Sequence, residues 1–133
     1  MRTYLSAIAI IVLSASAARA QGGDTESSPV REISPLELSA LIKASSVQIM
    51  DCNEEENFIW AHVPGAKLVA YDQITPAVLL GDKSATVVFY CYSPECPAAG
   101  MAAQSAKQLG HTQVLLMTAG IVGWQDAGLP TEP

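Results

Sequence analysis

Basic residues are scarce in this 133-residue chain, where seven Lys and Arg stand against 13 Asp and Glu, for a formal net charge of −6. With no basic patch there are no phosphate counterions to release, and so acidic a surface repels polyanions and anionic lipid. Nucleic acid is therefore excluded as the expected partner. Long apolar runs are missing too. The apolar stretch at residues 5–13 falls well short of the about 20 residues that a bilayer span requires. No internal repeat is present. Cysteine is limited to Cys52, Cys91 and Cys96, and an odd count leaves at least one thiol unpaired in a monomer.

What the chain does contain starts with a leader. Arg2, the short apolar stretch and the small-x-small triplet Ala18-Arg19-Ala20 read as a secretory signal peptide over residues 1–20, bacterial in style and cleaved before Gln21. Cleavage removes Arg2 and Arg19, leaving five basic residues against all 13 acidic ones. The expected location is the bacterial periplasm, with no membrane anchor after signal cleavage, and there all three cysteines meet an oxidising compartment. Residues 21–29 hold Gly, Ser, Asp and Thr with nothing apolar to anchor them and are expected to form a flexible tether. Residues 30–133 suffice for one domain with one core.

Along that domain strands alternate with helices. Ser34 before Pro35 is a helix start, with a capping hydroxyl and a proline tolerated in the first turn, and Leu36, Leu38, Leu41 and Ile42 make an apolar stripe. A strand over residues 47–50 and a short helix over 54–61, with Phe58 and Ile59 turned inward, come next. In His62-Val63-Pro64-Gly65-Ala66, Pro64 holds Val63 extended and Gly65 permits a reversal into a strand around Leu68 and Val69. A helix over 72–80 is expected despite Pro76. The second half adds a strand over 85–90, a helix over 97–109 capped by Gly110, a strand over 113–117 and a short helix through Trp124. This alternation implies an α/β domain, a parallel sheet with helices on both faces.

Cys91 ends the most apolar strand. A thiol at the carboxyl end of a buried parallel strand, with a loop closing onto a helix amino terminus, meets unpaired amides and the positive end of a dipole. A free cysteine titrates near pH ~8.5, and such a setting lowers that value, as a nucleophile or sulfur carrier requires. The plainer reading is a small buried hydrophobe.

The stretch Asp51-Cys52-Asn53-Glu54-Glu55-Glu56-Asn57-Phe58-Ile59-Trp60-Ala61-His62-Val63-Pro64-Gly65-Ala66 resembles the first signature of rhodanese domains. Gly120-Ile121-Val122-Gly123-Trp124, with Ala127-Gly128-Leu129-Pro130, resembles their closing signature, and Val87-Val88-Phe89-Tyr90-Cys91 falls where that family keeps its catalytic cysteine. The resemblance is to a secreted, single-domain member. It implies a five-stranded parallel sheet and sulfur transfer, in which Cys91 takes sulfane sulfur from a small donor, holds it as a persulfide and passes it to a thiophilic acceptor such as cyanide, a thiol or a protein thiol. No cofactor is implied. The loop amides from Tyr92 to Ala98, those of Tyr92, Ser93, Glu95, Cys96 and Ala98 among them, become the anion cradle. Many members place a cation in this loop, whereas Tyr92-Ser93-Pro94-Glu95-Cys96-Pro97-Ala98-Ala99-Gly100 has none and carries Glu95. That opposes a dianion such as thiosulfate, and without an arginine the phosphatase chemistry of related folds is not expected. The loop is also about two residues longer than the family's short form on this alignment, and Pro94 and Pro97 each remove a donor.

Cys96, five residues on, is the candidate resolving or disulfide partner of Cys91. Two alternatives follow, a thiol–disulfide redox protein using this pair and a non-enzymatic binding or sensing module. A soft-metal site is disfavoured, because no third ligand is assured. Asp51 is read as tying down loop amides, His62 and Gly65 as parts of a structural turn, Gly120 as a glycine turn, and Cys52 as a buried small residue. Trp60 and Trp124 are read as packing residues, His111 as solvent-facing, and Asn53 as standing where the family often has arginine.

Overall fold

The computed structural model describes residues 28–44 and 47–133. The expected signal peptide over residues 1–20 and nearly all of the expected tether lie outside the described residues. At the tether's end the Lys107 Nζ donates to the Ser28 carbonyl and, at 2.8 Å, to its hydroxyl.

The described elements are β1 (Arg31–Glu32), α1 (Pro35–Ala44), β2 (Gln48–Asp51), α2 (Glu55–Trp60), β3 (Lys67–Leu68), β4 (Val87–Tyr90), α3 (Ala98–Gln108), β5 (Val114–Met117) and α4 (Gly120–Asp126). All five strands are parallel, in the order β1-β5-β4-β2-β3. The most apolar strand, β4, is therefore central and fully buried, as a strand covered on both faces must be.

Alternation along β4 divides the core. Val87, Phe89 and Cys91 face a cluster with Ala99, Ala102, Ala103 and Ala106 of α3. Val88 and Tyr90 face the other cluster, with Leu38 of α1 and Ile121 and Trp124 of α4. The small side chains of α3 let it lie close over the sheet, directly after the cysteine loop.

Local chemistry accounts for the helix ends. Ser34 Oγ accepts from the Glu37 amide at 3.2 Å while the Glu37 carboxylate accepts from the Ser34 amide at 2.7 Å, a reciprocal capping box. At the end of α3, Gly110 has φ +94°, its amide reaches the Lys107 carbonyl at 2.9 Å, and the His111 amide reaches Ala106 at 3.1 Å. This is a Schellman ending.

Four expectations are corrected. Residues 72–80 form turns, not a helix, because Pro76 removes a donor and disfavours helical geometry at Thr75. A single turn remains, with Leu79 bonded to the Thr75 carbonyl at 3.2 Å. Ile59 and Trp60 are 60% and 85% exposed, because α2 is one and a half turns long and only Phe58 reaches the core. His111 is buried, drawn in by the Schellman bond of its own amide. Strand β1, two residues at the sheet edge, was not anticipated.

Candidate functional site

β4 delivers Cys91 to the carboxyl edge of the sheet, at its centre, with 5% exposure. The loop that follows is fastened at its start, where the Ile121 amide donates to the Cys91 carbonyl at 2.9 Å and the Val122 amide to the Tyr92 carbonyl at 3.1 Å. Gly120 makes this approach feasible. Its φ is +68°, and a Cβ there would lie 2.4 Å from the Tyr92 carbonyl oxygen. The glycine of the closing signature thus serves the cysteine loop.

Further along, the Cys96 amide donates to the Ser93 carbonyl at 3.0 Å, closing a turn with Pro94 at its second position, where a fixed φ suits a β-turn. The turn brings Cys96 back over Cys91. The two are joined as a disulfide with their Cα atoms 6.2 Å apart, within the span a bridge requires.

A cavity of about 190 Å³ lies at the pair, lined by Cys91, Ser93, Pro94, Cys96, Pro97, Ala99, Gly100, Leu116, Met117 and Thr118. Of the loop residues expected to form the cradle, Ser93 and Cys96 reach it. Tyr92 instead lines a neighbouring groove of about 270 Å³ with Trp60 and Gln125, Glu95 points to solvent, and Ala98 opens α3. The cavity abuts the first turn of α3, whose amides have no partner within the helix, while Pro94 and Pro97 offer no donor. Sequence reasoning missed Thr118. It follows β5, the sheet neighbour of β4, so only the strand order could have pointed to it.

No cation lines the cavity. Glu95 accepts from the Ser93 hydroxyl at 2.7 Å, and that bond, with its own backbone amide, holds its carboxyl below the ordinary value. Cys91 Sγ lies 3.7 Å from the Cys52 carbonyl oxygen and 3.9 Å from Asn53 Oδ1. Oxygen acceptors at such distances favour a thiol or disulfide over a thiolate.

A buried polar network underlies the site. Asp51 Oδ1 accepts from the Asn53 amide at 2.8 Å and from Asn53 Nδ2 at 2.7 Å, while Oδ2 accepts from the Tyr90 hydroxyl at 2.5 Å. The Tyr90 oxygen in turn accepts from the Val63 amide at 3.1 Å. Burial pushes the Asp51 carboxyl up, against the pull of these hydrogen bonds and of His62. Burial, helped by Asp51, pushes the Cys52 thiol up to about 12, which keeps it inert. His62 Nδ1 donates to the Phe58 carbonyl at 2.8 Å, its ring stacks on Phe58, and its backbone pairs with Glu132. Trp124 is buried and donates to the Pro130 carbonyl at 2.8 Å. Among the described residues no cluster of His, Cys, Asp and Glu is arranged to hold a metal, and no helix is long and apolar enough to cross a membrane.

Fold and site together define a class, a parallel α/β domain that carries a cysteine at the end of its central strand, under a loop closing onto a helix. The chain belongs to the Rhodanese-like domain family, which residues 34–127 match; the family includes sulfurtransferases. It is similar to an HTH-type transcriptional regulator of Mycobacterium tuberculosis, 30% identical over 82% of this chain and 48% of that protein. Among solved structures it resembles the BH2092 protein of Bacillus halodurans, 26% identical with a TM-score of 0.69 over 77% of this chain and 76% of that one. It also resembles a thiosulfate sulfurtransferase of Pseudomonas aeruginosa, 27% identical with a TM-score of 0.66 over 78% of this chain and 20% of that one. The chain spans about half the length of the curated relatives it matches, 54% and 48%.

Proposed function

We propose that this protein is a sulfurtransferase that carries sulfane sulfur as a persulfide on Cys91, after export to the bacterial periplasm. The observation that carries the reading is the position of Cys91 in a rhodanese-like domain, buried at the end of the central strand with a cavity above it. A cavity of about 190 Å³ accommodates an added sulfur, and the first turn of α3 offers amides to its charge. The donor is a thiol persulfide rather than thiosulfate. A dianion would enter a pocket with no cation, past Glu95, while the reacting end of a thiol persulfide carries a single charge. The acceptor is a small thiol, cyanide or a protein thiol. The resemblance to a thiosulfate sulfurtransferase supports the reaction class and not that donor.

The test is to reduce the protein, expose it to glutathione persulfide and read intact and peptide masses. One added sulfur on Cys91, removed by cyanide as thiocyanate and absent from Cys91→Ser, is the expected result. A reduced protein that takes up no sulfur overturns the proposal.

A further inference from the structure

A persulfide on Cys91 would not sit alone. Cys96 lines the same cavity, and the bond between the two sulfurs shows that Cys96 Sγ reaches the inner sulfur of any persulfide formed there. The loop is folded for that approach by the turn from Ser93 to Cys96. Exposure is divided unequally, since Cys91 is buried and Cys96 is half-buried. The surroundings of Cys91 Sγ, two oxygen acceptors and no cation, disfavour a negative charge on that sulfur itself and tolerate a neutral disulfide.

We infer that Cys96 resolves the Cys91 persulfide, so that the domain reduces sulfane sulfur and releases it as hydrosulfide. The inference rests on the persulfide chemistry proposed above. In the first step Cys91, its thiol proton given to solvent, attacks the terminal sulfur of a thiol persulfide. The donor's S–S bond breaks, its thiolate leaves and takes up a proton, and Cys91 holds the sulfur. In the second step the Cys96 thiolate, its proton given to solvent, attacks Cys91 Sγ. The Sγ–Sγ bond forms, the bond to the terminal sulfur breaks, and that sulfur leaves as hydrosulfide with the electron pair that the two cysteine sulfurs lose. Attack at the terminal sulfur would instead move it onto Cys96, but the bridge in this structure is to the inner one. In the third step an external dithiol restores the pair. It attacks the more accessible Cys96 sulfur, expels Cys91, which takes up a proton, and leaves as its own disulfide when its second thiol closes and releases Cys96.

A single-turnover experiment separates this inference from the transfer reading. Reduced protein, freed of reductant, receives one equivalent of glutathione persulfide, and released sulfide and peptide masses are followed together. The expected result is sulfide in a one-to-one ratio with a new Cys91–Cys96 disulfide, with sulfide release at least tenfold slower in Cys96→Ser, which accumulates a cyanide-labile persulfide on Cys91. If the unaltered protein keeps a persulfide on Cys91, or passes it to Cys96, with no disulfide and no sulfide, the inference is overturned and the transfer reading stands. If neither protein takes up sulfur, both fall. A mixed disulfide with dithiothreitol, trapped on Cys96 when the oxidised protein is quenched early, is the expected mark of the third step; trapping on Cys91 contradicts it.

Discussion

Asn53 gives both its backbone and its side-chain N–H to one oxygen of Asp51, and this commitment turns its Oδ1 toward Cys91. The residue thus places an acceptor, and no positive charge, beside Cys91. Glu95, exposed beside the pocket, acts in the same sense. Replacing it in Glu95→Gln is expected to raise kcat/KM for thiosulfate about twofold to fivefold, the size of a solvent-screened charge effect, and to leave an uncharged organic trisulfide nearly unaffected. Because its carboxyl is held below 4.5, the gain should persist as the pH falls to that value and vanish only below it. Equal thiosulfate rates at neutral pH would contradict this. Beneath the loop, Asp51 runs in the opposite direction. Burial raises its carboxyl above 3.8, so its contribution to stability is complete below that pH and is lost as pH rises through the folded-state value. Urea unfolding at a series of pH values should therefore show Asp51→Asn gaining on the native protein as pH rises. A loss instead would mean that the hydrogen bonds from Tyr90 and Asn53 outweigh burial.

At the scale of elements, α4 secures the loop through Gly120. An added methyl there meets the Tyr92 carbonyl at 2.4 Å on a backbone with φ +68°, so strain and overpacking act together. Gly120→Ala is expected to destabilise the fold by about 2–4 kcal/mol and to slow sulfur uptake at Cys91, read by thermal unfolding and by mass. An unchanged melting temperature would show that the loop moves aside freely. Elements with strong local chemistry were legible in the sequence. Ser34 and Gly110 fixed the ends of their helices, and the run from Val87 to Tyr90 announced a central strand. Where local and tertiary signals part, the reading failed. Strand β1 is too short to show a period, and only its pairing with β5 makes it a strand. The outward Trp60 belongs to a helix too brief to sustain a stripe, and His111 is buried by a helix ending whose partner atoms no composition reveals. Thr118 joins the cavity wall through strand order alone, whereas Cys91 was legible because a buried strand's end is a position the chain itself marks.

For the whole molecule, charge is the property that reaches furthest. Among the described residues, eleven acidic side chains against five basic ones belong to a domain whose radius of gyration is on the order of 13 Å. At an ionic strength of about 0.01 M the Debye length is about 30 Å, so nearly every surface charge acts on an anion approaching the Cys91 pocket; at about 0.15 M it is about 8 Å, and only charges near the loop still act. The rate of sulfur loading from thiosulfate is therefore expected to rise severalfold between these conditions, while loading from an uncharged organic trisulfide stays level. Glu95→Gln divides the effect by origin. The difference it leaves at high salt belongs to the loop, and the salt-dependent rise that it retains belongs to the rest of the surface. Stopped mixing of reduced protein with each donor, followed by mass, supplies the comparison. A thiosulfate rate that is flat or falls with salt would mean that the pocket offers the anion a compensating positive field, and the preference for thiol persulfides would then have to be abandoned.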